Sequence, residues 1–212
     1  MPIFFQHMID ADTRFGIWKI EETEHFFLSN VPIQPQVSHP HKRLQHLAGR
    51  LLLRFLFPGF PYELIRIADT RKPFLANEEF HFSISHCGDY AAAIVSKNKR
   101  VGIDIEIPSP KVERIKNKFL SPHELAQFEN TLPTPDSRLQ TPDSGLLTLL
   151  WSAKEAVFKW YGDGGVDFSE HIQLLKKHDS NQTIQCFFTK TQIELLIHYN
   201  IFDHIVCAWV VS

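Results

Sequence analysis

No disulfide framework is written into this chain of 212 residues: Cys87, Cys186 and Cys207 are odd in number, widely spaced and without a CxxC pair. The same spacing argues against a cysteine-rich zinc site. Surplus positive charge is missing too. Lys and Arg total 22 against 24 Asp and Glu, a formal net charge of −2 with pI near 6.6. A general nucleic-acid binder rests its affinity on an excess of Lys and Arg, so none is expected here, and any anionic ligand must be met by local charge. No stretch approaches the ~18 apolar residues that span a bilayer. The opening MPIFFQHMIDAD has neither a basic start nor a long apolar run, so no membrane association is expected and a cytoplasmic location is. HExxH is absent, and the absence of GxxxxGK[ST] argues against a P-loop nucleotide hydrolase.

What is present is the composition of a globular protein, 43% hydrophobic and 22% charged, long enough for one domain or two small ones. Eighteen phenylalanines point to an aromatic-rich core, and twelve histidines are scattered. Residues 3–9 and 13–20 read as strands around a turn, and Glu21–Leu28 as a short helix. The run HKRLQHLAGRLLLRFLF places Leu44, Leu47, Ala48, Leu51, Leu52, Phe55 and Leu56 on one helical stripe, with Lys42, Arg43, Arg50 and Arg54 around it. Residues 63–68 read as a strand, and 80–85, 90–96 and 100–106 as three strands of one meander.

From Ile107 the pattern turns helical. Ser121-Pro122-His123-Glu124 is a capping box that starts a helix running to about Asn130. Residues 131–145 hold TPDS twice and read as an exposed loop. A helix follows from Leu146 to Tyr161, closed by Gly162, Gly164 and Gly165. Strands at 171–176, 183–189, 193–199 and 204–211 end the chain. The order predicts an α+β fold, with room for two similar halves.

Two stretches carry chemistry. In WSAKEAVFKWYGD, Trp151, Glu155 and Lys159 recur every four residues, so on a helix they share one face, each about 40° from the last. In VGIDIE, Asp104 and Glu106 are two apart, which on a strand turns both to one side. Were that helix to cross that strand, three carboxylates and a lysine would converge. Such a cluster calls for a hard divalent cation, and Mg²⁺ takes carboxylate oxygens together with substrate phosphates. By spacing alone the alternative stands open: Glu155 and Lys159 are also an ordinary i,i+4 ion pair, and the acidic strand edge an ordinary solvated one. Ser85, His86 and Asp104 could be drawn as a hydrolase triad, but neighbours on an extended strand point to opposite faces.

RKPFL…FHFSISHCG, VGIDIE and WSAKEAVFK, in this order and spacing, resemble the 4′-phosphopantetheinyl transferases, in particular the larger two-halved type acting on carrier proteins of peptide, polyketide or fatty-acid synthesis. The resemblance covers roughly Lys42 to Phe168. It implies two similar α/β halves related by a pseudo-twofold axis, residues 1–99 with the coenzyme A adenine and phosphate contacts and 100–212 with the metal and pyrophosphate site. It implies transfer of the phosphopantetheine arm of coenzyme A to a serine of an apo acyl, peptidyl or aryl carrier protein, with release of 3′,5′-ADP, as in holo-[acyl-carrier-protein] synthases. A monomer is implied as well.

By position, Asp104, Glu106 and Glu155 match the magnesium ligands, and Lys159 the lysine on the pyrophosphate. Ser85 and His86 match the pair that binds coenzyme A phosphates. Arg71, Lys72 and Pro73 match the motif at the adenine end, Arg71 standing where glycine is frequent. Arg43 and Arg50 match basic positions near the 3′-phosphate. Lys154 precedes the metal glutamate, and Trp151 reads as a packing residue. Lys111, Arg114, Lys116 and Lys118, with Phe119 and Leu120, are candidates for the carrier surface or an ordinary solvated face. The base that takes the serine proton is open between Glu155 and a water relayed through Glu106. A different class of function is a catalytically silent carrier-binding module of the same fold, against which the intact set Asp104, Glu106, Glu155 and Lys159 speaks.

Overall fold

The computed structural model describes residues 3–31, 37–129 and 142–212. The chain is α+β and divides into two compact units, Met1–Ile105 and Glu106–Ser212.

The first unit runs β1 (Ile3–Met8), β2 (Thr13–Lys19), α1 (Glu24–Leu28), α2 (Pro40–Leu56), a 3-10 turn (Tyr62–Leu64), β3 (Ile65–Ile67), β4 (Pro73–Leu75), β5 (His81–Cys87), β6 (Tyr90–Ser96) and β7 (Val101–Glu106). Helix α1 begins later than its sequence suggests, after Glu22, whose carboxylate accepts the Trp18 indole N–H at 3.0 Å. An antiparallel sheet has the order β1-β2-β6-β5. Strand β7 is not a member of it, so the expected three-strand meander does not form. Two bonds nevertheless link β7 to β5: the N–H groups of Ile103 and Ile105 donate to the hydroxyls of Ser83 (3.2 Å) and Ser85 (3.3 Å).

Helix α2 covers the face of the sheet opposite to those serines. Its stripe, with Leu47, Ala48, Leu52 and Leu56 buried, packs on Trp18, Phe82, Ala91, Ala93 and Val95. Gly49 explains itself here. A Cβ at this position would stand 2.6 Å from Ile84 Cγ2, so only glycine lets the helix come this close to β5. In place of one strand over 63–68 the chain has the 3-10 turn followed by β3, and β4 pairs with β3 in register Ile65 to Leu75.

The second unit runs α3 (Pro110–Phe119), α4 (Pro122–Glu129), α5 (Pro142–Tyr161), α6 (Phe168–His171), β8 (Ile172–His178), β9 (Thr183–Phe188), β10 (Ile193–Ile201) and β11 (Val206–Val211). The last four strands form an antiparallel meander. Helix α5 lies on β11 and beside α3, burying Leu149, Leu150, Ala153, Ala156, Val157 and Trp160 with Ile172, Phe188, Ile197 and Val210. Of the stretch read as loop, 131–141 lies outside the described residues. Residues 142–145 instead open α5, where proline at the first helical position is compatible with a helix start.

Candidate functional site

On β5, alternation sends consecutive side chains to opposite faces. Ser85 turns to β7 and donates from Oγ to Asp104 Oδ1 at 2.8 Å, both residues being buried. His86 turns to α2, its ring centroid 5.3 Å from that of His46. No hydrolase triad is assembled, because the serine bonds the aspartate directly and the histidine lies on the far face.

Lys42, His46 and Arg50 recur every four residues along α2 and share one face. With His86 they make a row of basic side chains. Burial, then the positive neighbours His86, Arg50 and Lys42, holds His46 below the ordinary histidine pKa. Burial also lowers Arg50. The buried Nε of Arg50 has no hydrogen-bond partner among the described residues, a cost that an incoming acceptor would relieve. Arg43, expected beside Arg50, turns away: its guanidinium makes a two-pronged ion pair with Glu24 (2.5 and 2.9 Å) and a bond to Val37 O. His46 escaped sequence reasoning, although its spacing from Arg50 was the available signal.

Arg71 sits at the tip of the β3–β4 turn with φ of 65°, the left-handed conformation that favours glycine. The turn is closed by Arg71 N to Ala68 O and Ala68 N to Lys72 O. Lys72 and Pro73 follow, half-buried.

In the second unit Trp151 is more than packing. Its ring meets Phe119 and Phe168, and its indole N–H donates to Glu106 Oε1 at 3.3 Å. The end of β7 is thereby held to the face of α5 that carries Glu155 one turn later and Lys159 one turn after that, both half-buried. Lys154 points elsewhere. It is 0% exposed and pairs with Glu124 Oε1 at 2.7 Å while donating to Phe168 O and Ile172 O. Burial pulls its pKa down and Glu124 opposes that pull. Glu124 also accepts from Leu174 N and Ser121 N, so the capping-box glutamate has a second task that its local motif could not announce. Phe119 and Leu120 are buried and offer a partner nothing, whereas Lys111, Arg114 and Lys118 are exposed.

Asp104, Glu106 and Glu155 are hard oxygen donors of the kind Mg²⁺ takes, and the hydrogen bonds from Ser85 and Trp151 orient two of them. Among the described residues no group of three or more His, Cys, Asp or Glu is gathered as a metal cluster, and no helix is long and apolar enough to cross a membrane.

Enterobactin synthase component D of Salmonella austin is 29% identical over 154 residues, covering 69% of this chain and 61% of the relative. The protein of that name in Escherichia coli K12 is 31% identical over 137 residues, 61% of this chain and 60% of the relative. The 4′-phosphopantetheinyl transferase AcpT of Escherichia coli K12 is 29% identical over 162 residues, 71% of this chain and 79% of the relative. The chain thus spans about three-fifths of the length of the first two. The family model described as the 4′-phosphopantetheinyl transferase superfamily matches residues 100–210, the stretch that holds Asp104, Glu106, Trp151, Glu155 and Lys159, and the chain belongs to that superfamily.

Proposed function

We propose that this chain transfers the 4′-phosphopantetheine group of coenzyme A to a serine of an apo acyl, peptidyl or aryl carrier protein, releasing 3′,5′-ADP, in a Mg²⁺-dependent reaction of the holo-[acyl-carrier-protein] synthase type. The observation that carries the reading is the Trp151–Glu106 hydrogen bond, which sets a carboxylate of the DIE strand beside the helix face of Glu155 and Lys159, within the stretch the superfamily matches.

In this reading Asp104, Glu106 and Glu155 would hold Mg²⁺, which when bound neutralises charge on the pyrophosphate. Lys159 meets the pyrophosphate as a point charge. The row Lys42, His46, Arg50 and His86 receives the 3′-phosphate, where an anion offers Arg50 Nε an acceptor and favours the protonated form of His46. Arg71, Lys72 and Pro73 border the adenine. The serine hydroxyl attacks the phosphorus that carries the pantetheine arm, the bond from that phosphorus to the bridging oxygen breaks, and the nucleotide leaves as 3′,5′-ADP. The serine proton passes to Glu155 on α5 or, through a water, to Glu106 at the end of β7. Exposed Lys111, Arg114 and Lys118 offer charge to an acidic carrier helix.

Each unit packs one long helix on an antiparallel sheet, which supports reading them as similar halves. The pseudo-twofold relation, the division of labour between residues 1–99 and 100–212, the monomeric state and the cytoplasmic location belong to this proposal.

The test is incubation with a purified apo carrier protein, coenzyme A and Mg²⁺, following the carrier by mass spectrometry. The carrier gains the phosphopantetheine mass; no gain across several carriers sinks the transferase reading. Glu155→Gln abolishes the gain and leaves the circular dichroism spectrum unchanged. Carrier binding without any transfer by the wild-type chain would point to a silent binding module instead.

A further inference from the structure

We infer that Ser85 is a positioning residue for the carboxylate of Asp104, holding it in the orientation in which it serves as a cation ligand. This rests on the reading of Asp104 as a metal ligand. It gives Ser85 a task other than contact with coenzyme A.

The direction of the bonds carries the inference. A hydroxyl has one proton to give and two lone pairs to receive with. The N–H of Ile105, which can only donate, points at Ser85 Oγ at 3.3 Å. The single proton of Ser85 goes to Asp104 Oδ1 at 2.8 Å, so the carboxylate receives a donor whose own position is set by the backbone of β7. Ser85 is 6% exposed and Asp104 2%, and at that burial a fixed hydrogen bond decides the rotamer. Carboxylates that ligate metals are themselves commonly hydrogen-bonded, and removing such a partner typically costs about 10- to 100-fold in metal affinity.

The fold supplies its own control. Ser83, two residues earlier on the same face of β5, accepts from Ile103 N at 3.2 Å in the same way. Where Asp104 precedes Ile105, Gly102 precedes Ile103, so Ser83 has no carboxylate at the matching position. Loss of the Ser83 hydroxyl therefore removes one serine-to-β7 bond and nothing from the proposed ligand set.

The experiment titrates Mn²⁺ into the full chain with coenzyme A present and follows free Mn²⁺ by electron paramagnetic resonance, with thermal melting recorded for each variant. Ser85→Ala is expected to weaken Mn²⁺ binding about 10- to 100-fold, Ser83→Ala to leave it unchanged at a comparable loss of melting temperature, and Ser85→Thr to keep most of it. Asp104→Asn abolishes it. Wild-type affinity in Ser85→Ala together with loss in Asp104→Asn overturns the role of Ser85 and leaves the metal reading standing. Equal weakening by Ser83→Ala and Ser85→Ala also overturns it, by making the effect one of packing. Wild-type affinity in Asp104→Asn overturns the metal reading and the inference with it. Should Ser85→Ala fail to fold, Ser85→Cys, close in size with a weak S–H donor, decides by the same comparison.

Discussion

Arg71 keeps a left-handed backbone at φ of 65° with an exposed side chain. For an L-residue other than glycine this conformation costs about 1–2 kcal/mol, partly offset because glycine would bring more unfolded-state freedom, worth about 0.5–1 kcal/mol. Arg71→Gly is therefore expected to stabilise the chain by up to about 1 kcal/mol, read as a higher melting temperature; a fall would mean the side chain contributes more than the strain costs. His46 gives a prediction of opposite character. Burial, helped by His86, Arg50 and Lys42, lowers its folded pKa below the ordinary 6.5. A base with a lowered folded pKa stabilises the fold fully above its unfolded value. That contribution is lost as pH falls below about 6.5, because the unfolded chain then binds a proton that the folded chain resists. The melting temperature of the wild type should fall more steeply between pH 7.5 and 5 than that of His46→Gln, and parallel curves would show that His46 titrates alike in the folded and unfolded chain. Bound phosphate should weaken the difference.

Helix α5 turns two lysines of one motif to different uses. Lys159 shares a face with Glu155, whereas Lys154 is buried and joins α4, α5, α6 and β8 through Glu124 and two carbonyls. Breaking a buried pair by removing one partner leaves an uncompensated charge and costs about 3–5 kcal/mol. Lys154→Met should lower stability by that order in denaturant unfolding, and adding Glu124→Gln should recover part of it by removing the stranded charge. If Lys154→Met lost transfer activity at full stability, Lys154 would belong at the substrate instead. This pair marks where the sequence stops being legible. The stripe of α2 could be read because one face is apolar and the other polar. Helix α5 is buried on several sides, with Thr148, Ser152 and Lys154 all inaccessible, so its pattern does not say which way a lysine turns. The four C-terminal strands and the capping box were plain from local alternation and local chemistry. The place of β7 was not, because the alternation within a strand does not say which sheet it joins.

At the scale of the whole molecule each unit has its own core, one around α2 and one around α5, and the three thiols are distributed unequally with respect to solvent. Cys87 is half-buried, whereas Cys186 and Cys207 are buried, and burial pushes the Cys186 thiol up to about 12. The thiolate is the reactive form. A disulfide reagent at pH 8 should therefore titrate one thiol per native chain and three after denaturation; two or more fast-reacting native thiols would show that a core opens readily. The α+β class, the long amphipathic helix, the terminal meander and the family are legible in the chain without coordinates, because these rest on periodicity and on three ordered motifs. So are the residue types that suit a hard cation and phosphates. Which side chains are engaged by a partner is a matter of packing. Arg43 is paired with Glu24, Lys154 with Glu124, Ser85 with Asp104 and Trp151 with Glu106. Each is a contact between residues distant in the chain, and spacing along the chain cannot specify a partner that packing brings alongside.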